Sequence, residues 1–386
     1  MYQKEYGVNI LTRCAQGYTN TQCLDCGKDA QFLIIWETTE QCFLNMRQLL
    51  ESEGYCCYAN HKEGTALFAT YIKGSEVLNL SYTPFEMAIK VVREHTRNLP
   101  PSADALGEST VVPLLTQVKL SYKANNCGMV YLIRLGDGQF IVIDGGLGEE
   151  GEAEHLLKLM EEQNVLEGKP QIAAWFFTHA HNDHFGGFVE LMRHFAEKVI
   201  VKSIVYNWPH SKKSKGFSDL TSFEEIVAGM KDTKIITARS GQQYFYSDCQ
   251  IDMLFAPEDL YPAYIPNLND SSLVFRMILH GHRIMWLGDM QLQSAPFFEQ
   301  KYSKEVMQSE IMQVAHHGYG GASPILYWLI DPEILFWPCP EYMYATILKS
   351  ECNRFLRESK KIRRIYVSGV EEVTLDMTEV WNEESV

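Results

Sequence analysis

The feature that most constrains this chain is a run of polar residues that directly follows a buried apolar strand. Residues 178–187 read Thr-His-Ala-His-Asn-Asp-His-Phe-Gly-Gly and come after the apolar run Ile172–Phe177. Apolar residues at helical spacing continue from Phe185 onward and predict an amphipathic helix. His179 and His181 are two positions apart, so in an extended segment their side chains point to the same side. The run therefore brings several polar side chains to the end of one strand.

This run favours a bound metal ion over a simple polar turn. Polar groups are costly at a buried strand end unless they are paired, and imidazole and carboxylate groups are ligands of Zn²⁺. Histidines that only form hydrogen bonds would explain an isolated His, but not a complete His-x-His-x-Asp-His series. Gly186 and Gly187 lack a Cβ and would let the backbone pack closely beneath the site. We predict four metal ligands in the run: His179, His181, Asp183 and His184.

Two later segments carry similar side chains at the ends of apolar runs. Asp289 follows Gly288 at the end of an apolar strand, so a rigid element would deliver its carboxylate to a sheet edge. The alternative is a solvated Asp in a turn. His316 and His317 follow the apolar run Ile311–Val314. One of these two histidines would bind a metal and the other would face the substrate.

Taken in order, these segments resemble the signature of the metallo-β-lactamase superfamily, the αββα hydrolases. The resemblance covers roughly residues 112–380 and includes a strand and Asp-Gly turn at Ile141–Gly146. It implies that Asp144 contacts a metal ligand rather than a metal ion, and that Asp289 bridges two metal ions. It also implies that His317 is a metal ligand and that His316 contacts the substrate or the leaving group.

The chain departs from the general pattern of the superfamily at one position. Most members carry a further metal-binding His before the bridging Asp, and no His occurs here in residues 255–259 or 267–273. This form resembles the branch with the hydrolase domain of DNA-uptake channel proteins and the choline-phosphate esterases that act on teichoic acid. The missing ligand could be replaced by water or by Asp259, Glu258 or His210. His210 could equally be a rim residue that contacts the substrate.

The resemblance implies a hydrolase with two divalent metal ions. Zn²⁺ is the expected metal, and Mn²⁺ and Fe²⁺ are the alternatives. A hydroxide that bridges the ions would attack the substrate, so that no protein nucleophile is needed. Asp183 and His316 are the residues assigned to catalysis. The implied metal ligands are His179, His181, Asp183, His184, Asp289 and His317.

The expected substrate is a phosphoester, either a phosphodiester or a phosphomonoester, because the similar branch contains phosphoesterases. Thioesters, lactones and β-lactams are alternative substrates, and a metal-binding regulatory protein with little turnover is an alternative of another class. The full ligand set argues against the regulatory protein. A di-iron oxidoreductase would need an electron-donor module, and nothing in the chain is typical of a flavodoxin domain.

The chain is too long for one compact domain, since it has 386 residues. Its first part has the pattern of a small mixed α/β unit, with helices expected over Cys42–Glu53 and Phe85–His95. Leu99–Ser109 is rich in Pro, Ser, Ala and Gly, as linkers are. We predict an accessory α/β domain at residues 1–108 and an αββα metallo-β-lactamase-like sandwich at residues 109–386. The accessory domain could be a substrate-selecting cap, a partner-binding module or a dimerisation surface.

The charge and hydropathy of the chain limit its partners. With 34 Lys and Arg against 49 Asp and Glu, the formal net charge is −15, so nucleic acid is a poor partner. No run of 18 apolar residues and no secretory signal occurs, which predicts a soluble, cytoplasmic protein with no membrane partner. A small-molecule or phosphoester substrate is the expected partner, and the oligomeric state is left open.

Several other residues have more than one interpretation. Cys14, Cys23 and Cys26 could belong to a structural zinc site or be free thiols, since no second Cys pair follows. His280 and His282 resemble a ligand pair, but the Gly between them predicts a hairpin tip. The basic segment Ser211–Lys215 is expected to be a solvated loop, or else to meet an anionic substrate.

Overall fold

The computed structural model describes residues 9–25, 30–96, 98–120, 127–347 and 350–379. Within these residues helices and strands alternate through much of the chain. The α-helices are α1 (Ile10–Cys14), α2 (Glu40–Ser52), α3 (Glu152–Gln163), α4 (Asn182–Phe195), α5 (Thr221–Gly229), α6 (Ser294–Lys301), α7 (Lys304–Met307), α8 (Pro324–Ile330), α9 (Glu341–Ile347) and α10 (Glu351–Glu358).

The β-strands divide into those before and those after residue 100. The first group comprises β1 (Thr21–Asp25), β2 (Ala30–Trp36), β3 (Cys56–Glu63), β4 (Ala66–Lys73), β5 (Glu76–Thr83) and β6 (Ala88–His95). The second group comprises β7 (Leu114–Gln117), β8 (Tyr131–Arg134), β9 (Phe140–Ile143), β10 (Gln171–Phe176), β11 (Ile200–Val201), β12 (Ser203–Tyr206), β13 (Lys234–Thr237), β14 (Gln243–Tyr246), β15 (Cys249–Phe255), β16 (Val274–Leu279), β17 (His282–Trp286), β18 (Ile311–Gln313), β19 (Ile334–Trp337), β20 (Arg364–Val367) and β21 (Val373–Asp376).

The first six strands form an antiparallel sheet in the order β1-β2-β6-β5-β4-β3. Helices α1 and α2 cover one face, where Phe43 and Leu50 pack into a buried cluster. The opposite face, with Phe32, Phe68 and Val92, packs into a second cluster that it shares with residues beyond 250. Successive side chains of a strand point to opposite faces. Both faces of the inner strands β2, β4, β5 and β6 are therefore largely buried, whereas the edge strands β1 and β3 are mostly exposed.

The expected helix over Phe85–His95 is wrong, because Ala88–His95 is strand β6. This strand pairs with β2 on one side and β5 on the other, in the interior of the sheet. Ile89 and Val91 face the helices, whereas Val92 faces the rest of the protein. A strand buried on both faces lacks the simple polar–apolar alternation. Its apolar positions can therefore match helical spacing in a short window.

Two further sheets pack face to face to form a sandwich. One has the order β13-β12-β10-β9-β8-β7-β21, with β11 beside β10, and the other has the order β14-β15-β16-β17-β18-β19-β20. The side chains between them are large and fully buried, and the rings of Tyr131 and Trp286 lie 4.6 Å apart. Helices α3, α4 and α5 cover the outer face of the first sheet, and helices α6 to α10 pack on the second. The expected αββα architecture is confirmed.

The parallel strands of both sheets lead the candidate site residues to one edge of the sandwich. In the first sheet β9, β10, β12 and β13 run parallel, and in the second β17 to β20 do. Asp144 follows β9, His179 follows β10, Asp289 follows β17 and His317 follows β18. In α/β proteins ligands bind at the carboxyl ends of such strands.

The N-terminal sheet and the sandwich share apolar and polar contacts. Lys90 donates from Nζ to the backbone oxygen of Asp259 at 2.7 Å, and Glu94 pairs with Arg239 at 2.9 Å. A Cβ on Gly241 would lie 1.9 Å from the ring of Phe68, so the two surfaces approach closely. The change from one sheet system to the other falls between His95 and Leu114. The domain boundary at residue 108 stays a prediction. None of the described helices could cross a lipid bilayer.

Candidate metal centre

The loop between β10 and helix α4 places the histidines of the polar run. His179 and His184 are fully buried, and His181 is half-buried just before the first residue of the helix. A Cβ on Gly186 would lie 2.0 Å from the backbone oxygen of Leu147, and one on Gly187 would lie 1.9 Å from that of Gly145. Such distances are far below contact distance. The two glycines therefore let the helix lie against the loop that follows β9, as expected.

Asp289 and His317 reach the same edge from the second sheet. Asp289 is 2% exposed, and its backbone N–H donates to Oγ of Ser272 at 3.0 Å. His316 and His317 have positive φ angles of 47° and 53°. Such backbone is strained for a residue with a Cβ and persists where the surrounding structure enforces it, commonly at functional sites. The two consecutive histidines are held in a conformation that directs their rings to the sheet edge.

The side chains gather into two groups of potential ligands. His179, His181 and Asp289 form one group, with ligand atoms within 4.8 Å of one another. Asp183, His184 and His317 form the other group, and their ligand atoms also lie within 4.8 Å of one another.

The carboxylate of Asp289 faces both groups. Its Oδ1 lies 3.4 Å from Nε2 of His184, and its Oδ2 lies 3.5 Å from Nε2 of His317 and 3.7 Å from Nε2 of His179. Ligand atoms about 2.1 Å from a shared ion in tetrahedral geometry are about 3.4 Å apart. The observed spacing therefore fits a carboxylate between two cations.

Several buried atoms at the centre lack a protein partner. Among the described residues, Nε2 of His184, Nε2 of His317 and Oδ1 of Asp289 are buried without a hydrogen bond. Buried polar atoms are nearly always paired, and an unpaired set that faces one point is what a metal ion would satisfy. The donor set of imidazoles and carboxylates suits Zn²⁺ and other divalent transition metals. The residues present therefore fit the metals implied by the resemblance.

The remaining nitrogens of three imidazoles are bound by the protein. Nδ1 of His184 lies 2.7 Å from Oδ2 of Asp144, and Nδ1 of His317 lies 2.7 Å from the backbone oxygen of Pro338. Nε2 of His181 lies 3.1 Å from the backbone oxygen of Gly216. Each of these partners only accepts hydrogen bonds, so the imidazole donates there and its other nitrogen is free for a metal. Such outer contacts are typical of metal-binding histidines.

Asp144 organises this part of the site without facing the centre. It is fully buried, and besides His184 it accepts hydrogen bonds from the backbone N–H and the hydroxyl of Thr178, at 2.7 Å and 2.8 Å. Its φ of 55° is unusual for a residue with a Cβ. The supporting position that the resemblance implied for Asp144 agrees with this geometry.

The pKa shifts indicate which side chains are protonated when no metal ion neutralises the carboxylates. Burial lowers the pKa of His184, but the carboxylates of Asp289, Asp144 and Asp183 outweigh burial and raise that pKa to about 10. The pKa of His317 is raised well above its usual value, since Asp289 and Asp183 outweigh its burial too. Burial raises the pKa of Asp289, yet the neighbouring imidazoles hold that pKa well below its ordinary value. Two protonated imidazoles therefore offset the carboxylates in the metal-free protein.

His316 lies at the rim and belongs to neither ligand group. Its Nε2 is 3.9 Å from Oδ2 of Asp289 and 3.0 Å from Nδ2 of Asn269. Its Nδ1 is hydrogen-bonded to the side-chain amide of Gln291. Its side chain is 20% exposed, whereas that of His317 is 2% exposed. This position is compatible with the predicted contact to substrate, which stays a prediction.

The three suggested replacements for the missing histidine are engaged elsewhere. Asp259 pairs with Lys301 at 2.9 Å in the interior, and Glu258 accepts from Nδ2 of Asn207 at 2.7 Å. Nδ1 of His210 accepts from a backbone N–H in its own loop. None of the three joins either ligand group of the described residues. The structure therefore gives no support to any of them as a ligand.

The other ambiguous residues have ordinary environments where the structure describes them. Cys14 is buried and Cys23 is exposed, and neither joins a ligand group of the described residues, whereas Cys26 lies outside those residues. His280 is at the tip of the β16–β17 hairpin, as expected. The Cys127 thiol is buried 3.4 Å from Sδ of Met343, and burial raises its pKa, so it is not an activated nucleophile.

Sequence reasoning missed two parts of the site. The carbonyl of Gly216 binds His181, and the amides of Asn269 and Gln291 bind His316. Backbone carbonyls carry no sequence signal. A single Asn or Gln fits many turns, so Asn269 and Gln291 carry no sequence signal for this contact either.

Residues 128–242 match the sequence model of the metallo-beta-lactamase superfamily. This segment contains Asp144 and the polar run 178–187, so the resemblance drawn from the motifs is confirmed. The match covers less than half of the chain, so it shows a similarity of this segment to the metallo-β-lactamase superfamily. The match ends before Asp289 and His317, so the roles of these two residues as metal ligands stay predictions. The suggested branch stays a prediction.

Solved structures with similar folds differ widely in sequence. The metallo-beta-lactamase fold protein YhfI from Bacillus subtilis is 14% identical, covers 66% of this chain and 96% of its own, and has a TM-score of 0.42. CmlA, a diiron β-hydroxylase from Streptomyces venezuelae, is 10% identical over 74% of this chain, with a TM-score of 0.40, and the match spans 55% of CmlA. The short form of human tRNase Z is 14% identical, covers 58% of this chain and 90% of its own, and has a TM-score of 0.34. These values are too low to carry a conclusion about activity. No curated protein matches the chain significantly.

Proposed function

We propose that this protein is a hydrolase that depends on two divalent metal ions and acts on phosphoesters. The observation that carries the proposal is the carboxylate of Asp289, buried between two groups of ligand side chains and 3.4–3.7 Å from imidazoles of both. A pair of divalent ions in such a site supplies hydrolytic water with a pKa lowered toward about 7 and offsets charge in the transition state.

The side chains of the centre would hold the two ions and bind the attacking water. One ion would be held by His179 and His181, the other by Asp183, His184 and His317, and Asp289 would hold both. Of the two carboxylates at the centre, that of Asp183 is the more exposed: its side chain is 25% exposed, whereas that of Asp289 is 2% exposed. Its carboxylate would accept a hydrogen bond from the attacking water and hold that water in position.

His316 would contact the reacting group from the rim. Two side-chain amides fix the orientation of its ring, and its Nε2 lies 3.9 Å from Oδ2 of Asp289. If the Asn269 contact is exchanged for the substrate, Nε2 can donate to an oxygen on which charge develops. Its role is to stabilise that oxygen or the leaving group.

A basic loop beside His181 supports an anionic substrate. Lys212, Lys213 and Lys215 make no ion pair with a described carboxylate, although the chain as a whole carries a net charge of −15. The same loop reaches Gly216, whose carbonyl binds His181 at 3.1 Å, so the loop that carries these lysines adjoins the His181 side of the site. Unpaired positive charge near the centre attracts phosphate groups. It gives no advantage to a neutral lactone or thioester.

A substrate panel tests the proposed function. Purified protein loaded with Zn²⁺ or Mn²⁺ would be assayed with an aryl phosphodiester, an aryl phosphomonoester, a thioester, a lactone and nitrocefin. We expect turnover of a phosphoester, and its loss in Asp289→Asn, while Asp331→Asn at a surface ion pair keeps wild-type rates. Turnover of a thioester, lactone or nitrocefin without phosphoester turnover would favour those alternatives. Bound metal without any turnover would favour a regulatory protein.

A further inference from the structure

The ring of His316 contacts one side-chain amide at each of its two nitrogens. Nδ1 faces the amide of Gln291, and Nε2 lies 3.0 Å from the amide of Asn269. A neutral imidazole has one donor and one acceptor nitrogen, and an amide presents either its NH₂ group or its oxygen. The way in which the two amides are turned therefore decides which nitrogen of the ring carries the proton.

A backbone N–H fixes the amide from which the others follow. The backbone N–H of Asn269 donates to Oδ1 of Asn267 at 3.1 Å. A backbone N–H can only donate, so the oxygen of the Asn267 amide must lie on this side and its NH₂ group on the other. That NH₂ group donates to Oε1 of Gln291. The orientation of the Asn267 amide is therefore set by the backbone.

This orientation is passed on to His316 through Gln291. Because Oε1 of Gln291 accepts from Asn267, its NH₂ group donates to Nδ1 of His316. Nδ1 is then the acceptor nitrogen, and the neutral ring carries its proton on Nε2. The Asn269 amide must present its oxygen to Nε2, which half a turn of that amide achieves without moving any other atom. The far end of the Asn269 amide has no partner among the described residues, so the contact with His316 alone decides how it is turned.

Asp270 joins the two segments that carry these amides. It accepts from the backbone N–H and the hydroxyl of Ser294, at 2.9 Å and 2.8 Å. The backbone N–H of Gln291 donates to the same hydroxyl at 3.2 Å. The 3-10 turn before strand β16 and the segment after strand β17 are therefore tied together. This connection keeps the amides of Asn267 and Gln291 in contact.

We propose that Asn267 and Gln291 are positioning residues that keep the proton of His316 on Nε2. This inference rests on the proposed function. Nε2 lies 3.9 Å from Oδ2 of Asp289, whereas Nδ1 faces Gln291. An oxygen of the phosphoester takes the place of the Asn269 amide and accepts the hydrogen bond from Nε2. His316 is then a hydrogen-bond donor to the substrate and not the base that removes a proton from water.

The position of the proton matters for the rate. A donor aimed at an oxygen on which negative charge develops is worth about 10²–10³ in kcat. The other tautomer would aim a lone pair of His316 at that oxygen and repel it. Because the contact strengthens in the transition state, its loss lowers kcat and kcat/KM together.

A variant that reverses the amides tests the inference. In Asn267→Asp both side-chain oxygens only accept, so Gln291 must turn its NH₂ group to the new carboxylate and its oxygen to the ring. We expect the proton of His316 to move to Nδ1, although residue 267 does not contact the ring. Nitrogen NMR of Zn²⁺-loaded protein labelled at histidine reads the position of the proton, and His316→Gln identifies the signals. We expect kcat for an aryl phosphodiester to fall by about 100-fold, with little change in KM.

Two further variants complete the test. Leu292→Asp adds the same charge next to Gln291, on a side chain that is 81% exposed, and should keep the wild-type tautomer and kcat. Gln291→Met removes the donor at Nδ1 and should give a mixture of both tautomers of His316. If Asn267→Asp does not fold, a proton that stays entirely on Nε2 in Gln291→Met overturns the inference.

The NMR and kinetic readouts separate this inference from the proposed function. A wild-type ring with its proton on Nδ1, or a proton that stays on Nε2 in Asn267→Asp, would show the inference to be wrong. A proton that moves without any fall in kcat would overturn the positioning role of Asn267 and Gln291. If the proton moves as expected but wild-type protein hydrolyses no phosphoester, the proposed function fails and the assignment of the proton stands.

Discussion

At the scale of single residues, the centre depends on side chains that do not face it. Asp144 binds Nδ1 of His184 at 2.7 Å and is itself held by Thr178. His317 and His181 are oriented by the backbone oxygens of Pro338 and Gly216. These contacts fix which nitrogen of each ring points inward, so we expect them to influence metal affinity without touching a metal.

Removing the charge of Asp144 should weaken the metal site at His184. In Asp144→Asn the amide can still contact the ring, but it no longer offsets the positive charge on His184, so we expect metal affinity to fall by about 10–100-fold. Competition with a chelator measures this. Asp137→Asn, in the β8–β9 hairpin, is the matched control. Equal affinities in the two variants would contradict the supporting role of Asp144.

Metal binding should release protons. The pKa of His184 is about 10 in the metal-free protein and the pKa of His317 is also raised, so both rings are protonated at neutral pH. A metal ion must displace these protons, and we expect release of about two protons per chain at pH 7. Calorimetry in buffers with different ionisation enthalpies measures the number. No proton release would contradict the assignment of these two histidines.

The raised pKa of His184 also makes the stability of the metal-free protein depend on pH. Because the pKa of His184 is raised from 6.5 to about 10 on folding, its protonation stabilises the folded state fully below pH 6.5. That contribution is lost as the pH rises toward about 10. Metal affinity changes in the opposite direction and rises with pH across the same range.

Residues close together in the chain could be predicted from the sequence, whereas isolated ones could not. His179, His181, Asp183 and His184 lie within six positions, so their chemistry is visible as a pattern. Asp289 and His317 needed the resemblance, because a lone Asp or His after a strand has many explanations.

At the scale of secondary-structure elements, the packing of helix α4 on the loop after β9 places the ligands. Gly187 has no room for a Cβ, which would lie 1.9 Å from the backbone oxygen of Gly145. The helix carries Asp183 and His184 in its first turn. A shift of this helix would therefore move two ligands at once.

Gly187→Ala should destabilise the protein although Ala favours helices. We expect the free energy of unfolding to fall by about 1–3 kcal/mol or more, because the helix must move away from the loop. Gly229→Ala is the matched control, since this helical glycine in α5 has nothing within 4 Å of the added Cβ. That variant should be neutral or gain up to about 1 kcal/mol. Denaturant unfolding measures both, and equal effects would contradict the close-packing argument.

Secondary structure was predicted correctly where one face of the helix or strand is exposed to solvent. A helix was expected over Cys42–Glu53, and helix α2 spans Glu40–Ser52. Strand β6 was mistaken for a helix because the antiparallel sheet around it buries both faces. Pairing with β2 and β5 decides its conformation, and those contacts are distant in the sequence.

At the scale of the whole molecule, the N-terminal sheet and the sandwich share one buried cluster. Lys301 and Asp259 form a buried ion pair in this region, with side chains 0% and 2% exposed, and Lys90 of the N-terminal sheet binds the Asp259 backbone. The nearby Glu258 binds Asn207, which begins the loop that reaches Gly216 and His181. The N-terminal sheet therefore supports a loop of the candidate centre.

Lys301→Met should be strongly destabilising. It leaves the carboxylate of Asp259 buried without its cation, and breaking a buried pair in this way costs about 3–5 kcal/mol. Lys304→Met removes a partly exposed ion pair with Asp331 and should cost no more than about 1 kcal/mol. Replacing both partners, as Lys301→Met with Asp259→Leu, should recover much of the loss. A small effect of Lys301→Met alone would contradict the structural role of this pair.

The central claim is that Asp289 and its surrounding histidines bind two metal ions in one site. The most direct test is the metal content of protein reconstituted with Zn²⁺ or Mn²⁺, measured by mass spectrometry for the wild type and for Asp289→Asn. We predict close to two ions per wild-type chain and a clear loss in Asp289→Asn, because the shared carboxylate faces both ligand groups. Folded wild-type protein that takes up no metal, or an Asp289→Asn variant that keeps both ions, would contradict the account.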